Sequence, residues 1–235
     1  MEPIEKAFPK AHRVIIGIGH KARQGKDTAA ACLQQEFGCT ILHFADALYE
    51  ECRKATILFK DTPPVIYFKT GEEDFFRYEN PPETIVHWIQ EKGIPKNGLP
   101  FEAQLFFGGM REKDGILLQF WGTEFRRKLF CWDYWVDKVR AVIESSPHID
   151  FIIPDTRFKN EARMIKNMGG VIWKIDRIGY LAQDRNPNHA SEIDLNDWDF
   201  DSVIVNDRTI PELEKKVKQL YLQLKGSYYD YRQNQ

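Results

Sequence analysis

Apolar residues run through Val14, Ile15 and Ile16 and resume at Ile18, interrupted by glycine alone. Continuous rather than alternating hydrophobicity marks a strand covered on both faces, so 13–18 predicts a first, central strand. A turn rich in glycine and cations follows, and 26–37 predicts a helix stopped at Gly38. CTILHFA, 39–45, predicts a short second strand, and Asp46 stands where it would cap a helix over 47–59. Helical spacing returns over 115–130 and 133–145, where Trp135, Val136, Val139 and Val142 fall near one face. Short apolar strands at 151–153, 171–177 and 201–207 are then interleaved with helices over 159–168 and 210–224. Such an order builds an α/β fold, a parallel sheet flanked by helices. Between 60 and 109 the pattern breaks at Pro63-Pro64, Pro81-Pro82, Pro95 and Pro100, with one helix predicted near 83–91. That stretch is too long and aromatic for a linker, and it reads as an insert carrying substrate-side surface.

A chain of 235 residues accommodates one large α/β domain with such an insert. The formal net charge of -2 gives no basic field for a nucleic acid polymer or an anionic membrane, so recognition of phosphate must be local. No apolar run reaches the roughly 18 residues of a bilayer span. The start, MEPIEKAFPKAHR, is charged from its second residue and lacks an apolar signal core, which predicts a soluble, cytoplasmic protein. Four cysteines without a C-x-x-C pair predict reduced, mostly buried thiols.

Chemistry concentrates first between Gly17 and Thr28. Strand, glycine-rich turn and helix N-terminus, in that order, form an anion site. Gly25 would let the backbone approach a phosphate, Lys26 would reach the terminal phosphates, and Arg23 adds a cation. Against G-x-x-x-x-G-K-[ST], His20 stands where the first glycine belongs and Asp27 where the magnesium-binding hydroxyl belongs. Asp27 could hold magnesium directly or through water while Thr28 meets an inner phosphate. The alternative is an ordinary strand-to-helix turn with Asp27 and Thr28 as caps.

The second constellation is FIIPDTRFKNEA, 151–162. An apolar strand ending in Asp155 has the shape of a magnesium-supporting carboxylate beside a phosphate loop. Arg157 would offset charge on a transferring phosphoryl group, with Glu161 orienting the guanidinium. The plain alternative makes Asp155 a helix cap and Arg157–Glu161 a surface pair. Arg177 lies over the donor base or is simply an exposed arginine, and Asp46 contacts an acceptor sugar or caps its helix. Trp135 stacks on an acceptor base or packs in the core. His189, Ser191 and Glu192 do not make a hydrolytic triad, and their loop is assigned to the lid or donor side.

Several motifs, in this order, carry a resemblance: G-K-D-T at 25–28, F-A-D-A-L at 44–48, L-Q-x-x-G-T-E at 118–124 with D-Y-W-V at 133–136, P-D-T-R-x-x-x-E at 154–161, H-x-S-E at 189–192 and V-I-V-N-D at 203–207. The chain resembles the deoxynucleoside monophosphate kinases of tailed bacteriophages. The resemblance implies a P-loop kinase fold over 1–235, with approximately 46–130 inserted as a mostly helical acceptor-binding region. It implies transfer of the γ-phosphoryl group of ATP to a dNMP with Mg2+, giving dNDP and ADP. Other readings are a P-loop kinase for another small phosphorylated metabolite and a non-catalytic nucleotide-binding module. By the same resemblance Lys26, Asp27 and Thr28 serve the donor, Gln119, Gly122, Thr123 and Trp135 line the acceptor site, and Asp155, Arg157 and Glu161 complete the centre. The basic residues that the family often places shortly before the glutamine are replaced by Gly115 and Ile116, so Arg126 is the expected acceptor-phosphate contact, ahead of Arg111, Lys113 and Arg127. A homodimer is left open, and the compartment is the host cytoplasm if the gene is a phage's.

Overall fold

A computed structural model of the protein describes residues 13–60, 64–70, 76–92, 94–95, 102–106, 118, 120–180 and 190–233. By contact the chain divides into two units, Met1–Phe44 with Val136–Gln235 and, between them in sequence, Ala45–Trp135.

In the first unit the uninterrupted apolar run becomes β1 (Ile15–Gly19), every residue of it buried. It sits mid-sheet, paired in parallel with β8 (Phe151–Ile153) on one side and β9 (Val171–Asp176) on the other. β2 (Thr40–Ile41) pairs with β8, and β10 (Ser202–Val205) with β9, both in parallel, giving the order β10-β9-β1-β8-β2. Successive strand residues point to opposite faces, so each face has its own core. Val14, Ile16, Ile18, Ile152, Trp173 and Ile204 pack with Ala29 and Leu33 of α1 (Lys26–Phe37) and Leu213 and Val217 of α8 (Ile210–Gln233). Ile15, Phe151, Ile153 and Ile172 pack with Val139 and Ile143 of α5 (Tyr134–Glu144) and Ala162 and Ile165 of α6 (Lys159–Asn167). Val142, expected on the packed face of α5, is 44% exposed, and Ile143 takes that place at 0%. α8 runs well past its predicted end at 224.

Gly17 shows how tightly β1 is covered. A Cβ there would lie 2.7 Å from Ile165 Cδ1, 2.8 Å from Ile172 Cδ1 and 2.9 Å from Thr156 Oγ1. Any larger residue would force these three side chains to shift.

The second unit corrects two sequence expectations. The helix expected over 47–59 is α2 (Phe44–Lys54), and Asp46 lies in its first turn rather than at its cap. From Ala55 the chain is strand, and the insert holds a five-stranded antiparallel sheet rather than being mostly helical. Its strands are β3 (Ala55–Lys60), β4 (Val65–Thr70), β5 (Phe76–Glu79), β6 (Ile94–Pro95) and β7 (Glu102–Phe106), in the order β5-β4-β3-β7-β6. Helix α3 (Glu83–Lys92) falls where it was expected. Of the helix expected over 115–130, the described part is α4 (Phe120–Phe130), wound wide enough that the Cys131 N–H reaches the carbonyl of Arg126 five residues back. Phe59, Ile66, Phe68, Ile85, Ile89, Phe120, Trp121, Phe125 and Trp135 form a separate core here. Phe68 is its centre, with ring centroids 3.9 Å from Phe125 and 5.5 Å from Trp121.

Cys32, Cys39 and Cys52 are buried and Cys131 is exposed, all four as free thiols. Burial raises the Cys32 and Cys39 thiols and pushes Cys52 up to about 12. No helix among the described residues is long and apolar enough to cross a membrane.

Candidate active site

In an open parallel sheet, ligands collect beyond the carboxyl ends of the strands, where the strand order reverses about the first one. The turn leaving β1 lies at that place. Its last residue, Gly25, has φ 104 and is the N-cap of α1, so neither Asp27 nor Thr28 caps the helix. Without a side-chain cap, the first-turn amides of α1 are directed at whatever fills the turn. Gly25 has a further reason to lack a side chain: a Cβ would come within 2.8 Å of Asn206 Nδ2 and 3.0 Å of Leu213 Cδ2.

The turn is fixed from three sides. Asn206 Nδ2, just beyond β10, donates to the Gln24 carbonyl at 2.9 Å. The buried Gln24 side chain accepts from the Arg177 N–H at 2.5 Å and donates to the carbonyls of Ala22 and Tyr180 at 3.3 and 3.4 Å. Ala22 N–H donates to Glu192 Oε2 at 3.0 Å. His20, 4% exposed, meets Asn196 Oδ1 at 2.8 Å through Nε2, while its Nδ1 has no hydrogen-bond partner among the described residues. With Asn196 offering oxygen, Nε2 is the donor. Burial lowers the imidazole's proton affinity, against the hydrogen bond it donates to Asn196.

Beside this turn lies a cavity of about 330 Å³, lined by Arg23, Gly25, Asp27, Thr28, Arg177, Asn206, Arg208, Ile210 and Leu213. Five of the residues expected to serve the donor, Arg23, Gly25, Asp27, Thr28 and Arg177, therefore line one cavity. Arg177 also stands 4.7 Å over the Tyr180 ring.

Lys26 lies at the heart of the site, 5% exposed, with Nζ donating to the Lys21 carbonyl. Loss of hydration and then the nearby Arg157 guanidinium push its ammonium down to about 7, while Asp27, Glu192 and Asp155 pull the other way. The fold thus brings Lys26 and Asp27 near Asp155 and Arg157, two pairs far apart in the sequence.

Asp155, after β8, accepts the N–H of Phe44 at 3.0 Å and so anchors the residue that opens α2. Glu161 sits differently from expectation. Buried at 2% exposure, its Oε2 accepts the backbone N–H groups of Arg157 at 2.7 Å and Phe158 at 3.0 Å, capping α6 and shaping the loop. The guanidinium is held instead by Glu192, Nη1 to Oε1 at 2.5 Å. The sequence alone gives Glu192, Gln24, Asn206 and Arg208 no role or only a general one. H-x-S-E and V-I-V-N-D carry two of them, whereas nothing distinguishes Gln24.

The expected acceptor residues that are described lie in the second unit. Asp46 is exposed on α2, and Thr123 is half-buried on α4. Trp135 is 2% exposed, and its indole N–H donates to the Gly122 carbonyl at 2.9 Å, which makes it a core residue. Arg126, the expected phosphate contact, is 6% exposed, its Nε donating to Glu51 Oε2 at 2.8 Å. Glu51 also accepts from Trp121 Nε1 and the Tyr134 hydroxyl. The rings of Phe125, Phe130 and Tyr134 lie within 4.9 Å of the guanidinium, so Arg126 is committed to the fold. Gln119, Arg111, Lys113 and His189 lie outside the described residues.

A mostly parallel sheet flanked by helices, with a glycine- and lysine-bearing turn at the end of its central strand, is an α/β fold of the P-loop kinase type. Comparison with known proteins narrows the class: residues 115–217 match the family model described as deoxynucleotide monophosphate kinase. A protein of Acanthamoeba polyphaga mimivirus, provisionally named deoxynucleotide monophosphate kinase, is 28% identical over 87% of this chain and 94% of its own length. The deoxynucleotide monophosphate kinase of Enterobacteria phage T4 is 36% identical over 39% of this chain and 34% of its own. The chain is thus similar to these kinases, most of all over the stretch that carries L-Q-x-x-G-T-E and P-D-T-R-x-x-x-E.

Proposed function

We propose that this protein is an ATP-dependent deoxynucleoside monophosphate kinase, transferring the γ-phosphoryl group of ATP to a dNMP to give dNDP and ADP. The observation that carries the reading is the convergence of Lys26, Asp27, Asp155 and Arg157 at the carboxyl end of β1, beside the basic cavity. Binding alone would be served by the loop and the cavity arginines. An arginine drawn in from the next strand is what a migrating phosphoryl group requires.

The protein's own groups would act as follows. The amides of the turn and the first turn of α1 bind the triphosphate, and Arg23, Arg177 and Arg208 surround the nucleoside end. Lys26 regains its proton against the terminal phosphates, and Arg157 offsets charge as the phosphoryl group moves. Carboxylate and hydroxyl oxygen suits Mg2+, and Asp27, Asp155 and Thr28 are the residues that would hold it. Bound there, the ion would neutralise phosphate charge. We assign the acceptor to the second unit around Gln119, Gly122 and Thr123, with Trp135 supporting Gly122 from the core.

The test is a survey of the common dNMPs and one ribonucleotide with ATP and Mg2+, read by ADP release and by product chromatography. Turnover with at least one dNMP is expected. Activity confined to another phosphomonoester, or ATP binding without turnover on any acceptor, would overturn the reading.

A further inference from the structure

We infer that Glu192 is a positioning residue: its buried carboxylate holds the Arg157 guanidinium against the phosphate loop before any nucleotide arrives. The inference rests on the proposed phosphoryl transfer, and it deepens that reading by naming what prepares the arginine.

Glu192 belongs to α7 (Ala190–Ile193) and is 4% exposed. A carboxylate so buried is tolerated when both oxygens are paired. Here both partners are parts of the site: Oε2 takes the Ala22 amide of the loop at 3.0 Å, and Oε1 takes Arg157 Nη1 at 2.5 Å. Arg157 and Lys26 carry like charge, and the guanidinium lowers the lysine's tolerance for its own, while Glu192 acts in the opposite sense on Lys26. Without a fixed anion to hold it, the long guanidinium side chain would be free to swing away from the like-charged lysine, and its ordering would have to be met during each turnover.

The stretch after Glu192 is itself tied down at two points. Asp194 Oδ2 accepts the Lys159 N–H at 2.7 Å, at the start of α6, and Asn196 Oδ1 accepts from His20 at 2.8 Å. Residues 192, 194 and 196 thus join the phosphate loop to the segment carrying Arg157. This gives a reason for His20 where the general loop motif has glycine: a glycine could not reach Asn196.

The experiment compares Glu192→Gln, Glu192→Ala, Arg157→Lys and the Glu192→Gln/Arg157→Lys double variant, each checked by thermal unfolding. Expected for Glu192→Gln is a fall in kcat of about 10²-fold, the scale of a misplaced group, with KM for ATP within about threefold of the wild type. The double variant should be no slower than Arg157→Lys, because the two residues act as one unit. A second readout needs no turnover: in the nucleotide-free protein, 15N NMR of Glu192→Gln should show a shifted Ala22 amide and a more mobile Arg157 Nε–Hε. Multiplying losses in the double variant, unchanged kcat, an unmoved Arg157 resonance, or tenfold tighter ATP binding by Glu192→Ala would each overturn the inference. The last would mean that the carboxylate competes with phosphate rather than arranging its binding site. A wild type inactive on every dNMP would sink the proposed function, and the NMR comparison would still decide the case of Glu192.

Discussion

Lys26 enters the fold with its charge weakened, and that has a sign. Its folded value of about 7 lies below the ordinary 10.5, so between those pH values the unfolded chain binds a proton that the folded one gives up. Stability from this group therefore rises with pH across that window and is lowest at and below pH 7. Lys26→Met should melt higher than the wild type at pH 7, with the difference vanishing toward pH 10.5 in paired thermal scans. The same substitution should lower turnover by about 10²-fold or more, as loss of a charge-stabilising group does. ATP should bind with proton uptake at pH 8 to 9, measurable by calorimetry in buffers of different ionisation heat; no uptake would place Lys26 away from the phosphates. Arg157→Ala should cost about 10³-fold or more in turnover, the scale on which an arginine that stabilises a phosphoryl-transfer transition state acts, and near-normal turnover would remove it from the mechanism. Lys26, Asp27, Asp155 and Arg157 were legible because short motifs carry them. Glu161 was legible as a member but not in its role, since backbone capping and side-chain pairing look alike at a spacing of four. Gln24 was not legible, because its partner Arg177 is 153 positions away.

At the scale of elements, the strands of the parallel sheet could be read from apolar continuity, since both faces of β1, β8 and β9 are covered. The antiparallel sheet of the second unit could not. The run ALYEECRKATILF offers helix formers up to Lys54 and β-branched residues after it, and the change of period fell inside one apolar stretch. β4 reads V-I-Y-F, apolar throughout and with Val65 and Ile66 both buried, so it shows no alternation, and the flanking Pro63-Pro64 points to irregular chain. Phe68→Ala should destabilise this unit by about 3–5 kcal/mol in denaturant titration, the usual cost of emptying a packed aromatic site. A change under about 1 kcal/mol would mean the ring cluster is not tightly packed. The turn before α1 makes the complementary prediction. Gly25→Ala meets both a left-handed φ and the Asn206 amide, so ATP affinity should fall about 5- to 150-fold, given a strain of about 1–3 kcal/mol, read with a fluorescent ATP analogue.

For the molecule as a whole, the residues proposed to hold the donor all lie in the unit formed by the two ends of the chain, 1–44 and 136–235, and the interrupting unit has its own hydrophobic core. Hydrogen exchange with saturating ATP should accordingly slow amides of 17–28 and 190–213; protection absent there would contradict the donor assignment. The division of the cysteines has a practical outcome of a different kind. Thiols react as thiolates, and burial keeps Cys32, Cys39 and Cys52 protonated and out of reach. Cys131 alone is open to reagent, on the short link between α4 and α5. The natural protein thus has one address for a maleimide dye or spin label, in the unit proposed to take the acceptor, so acceptor binding could be followed by spectroscopy without engineering a single residue.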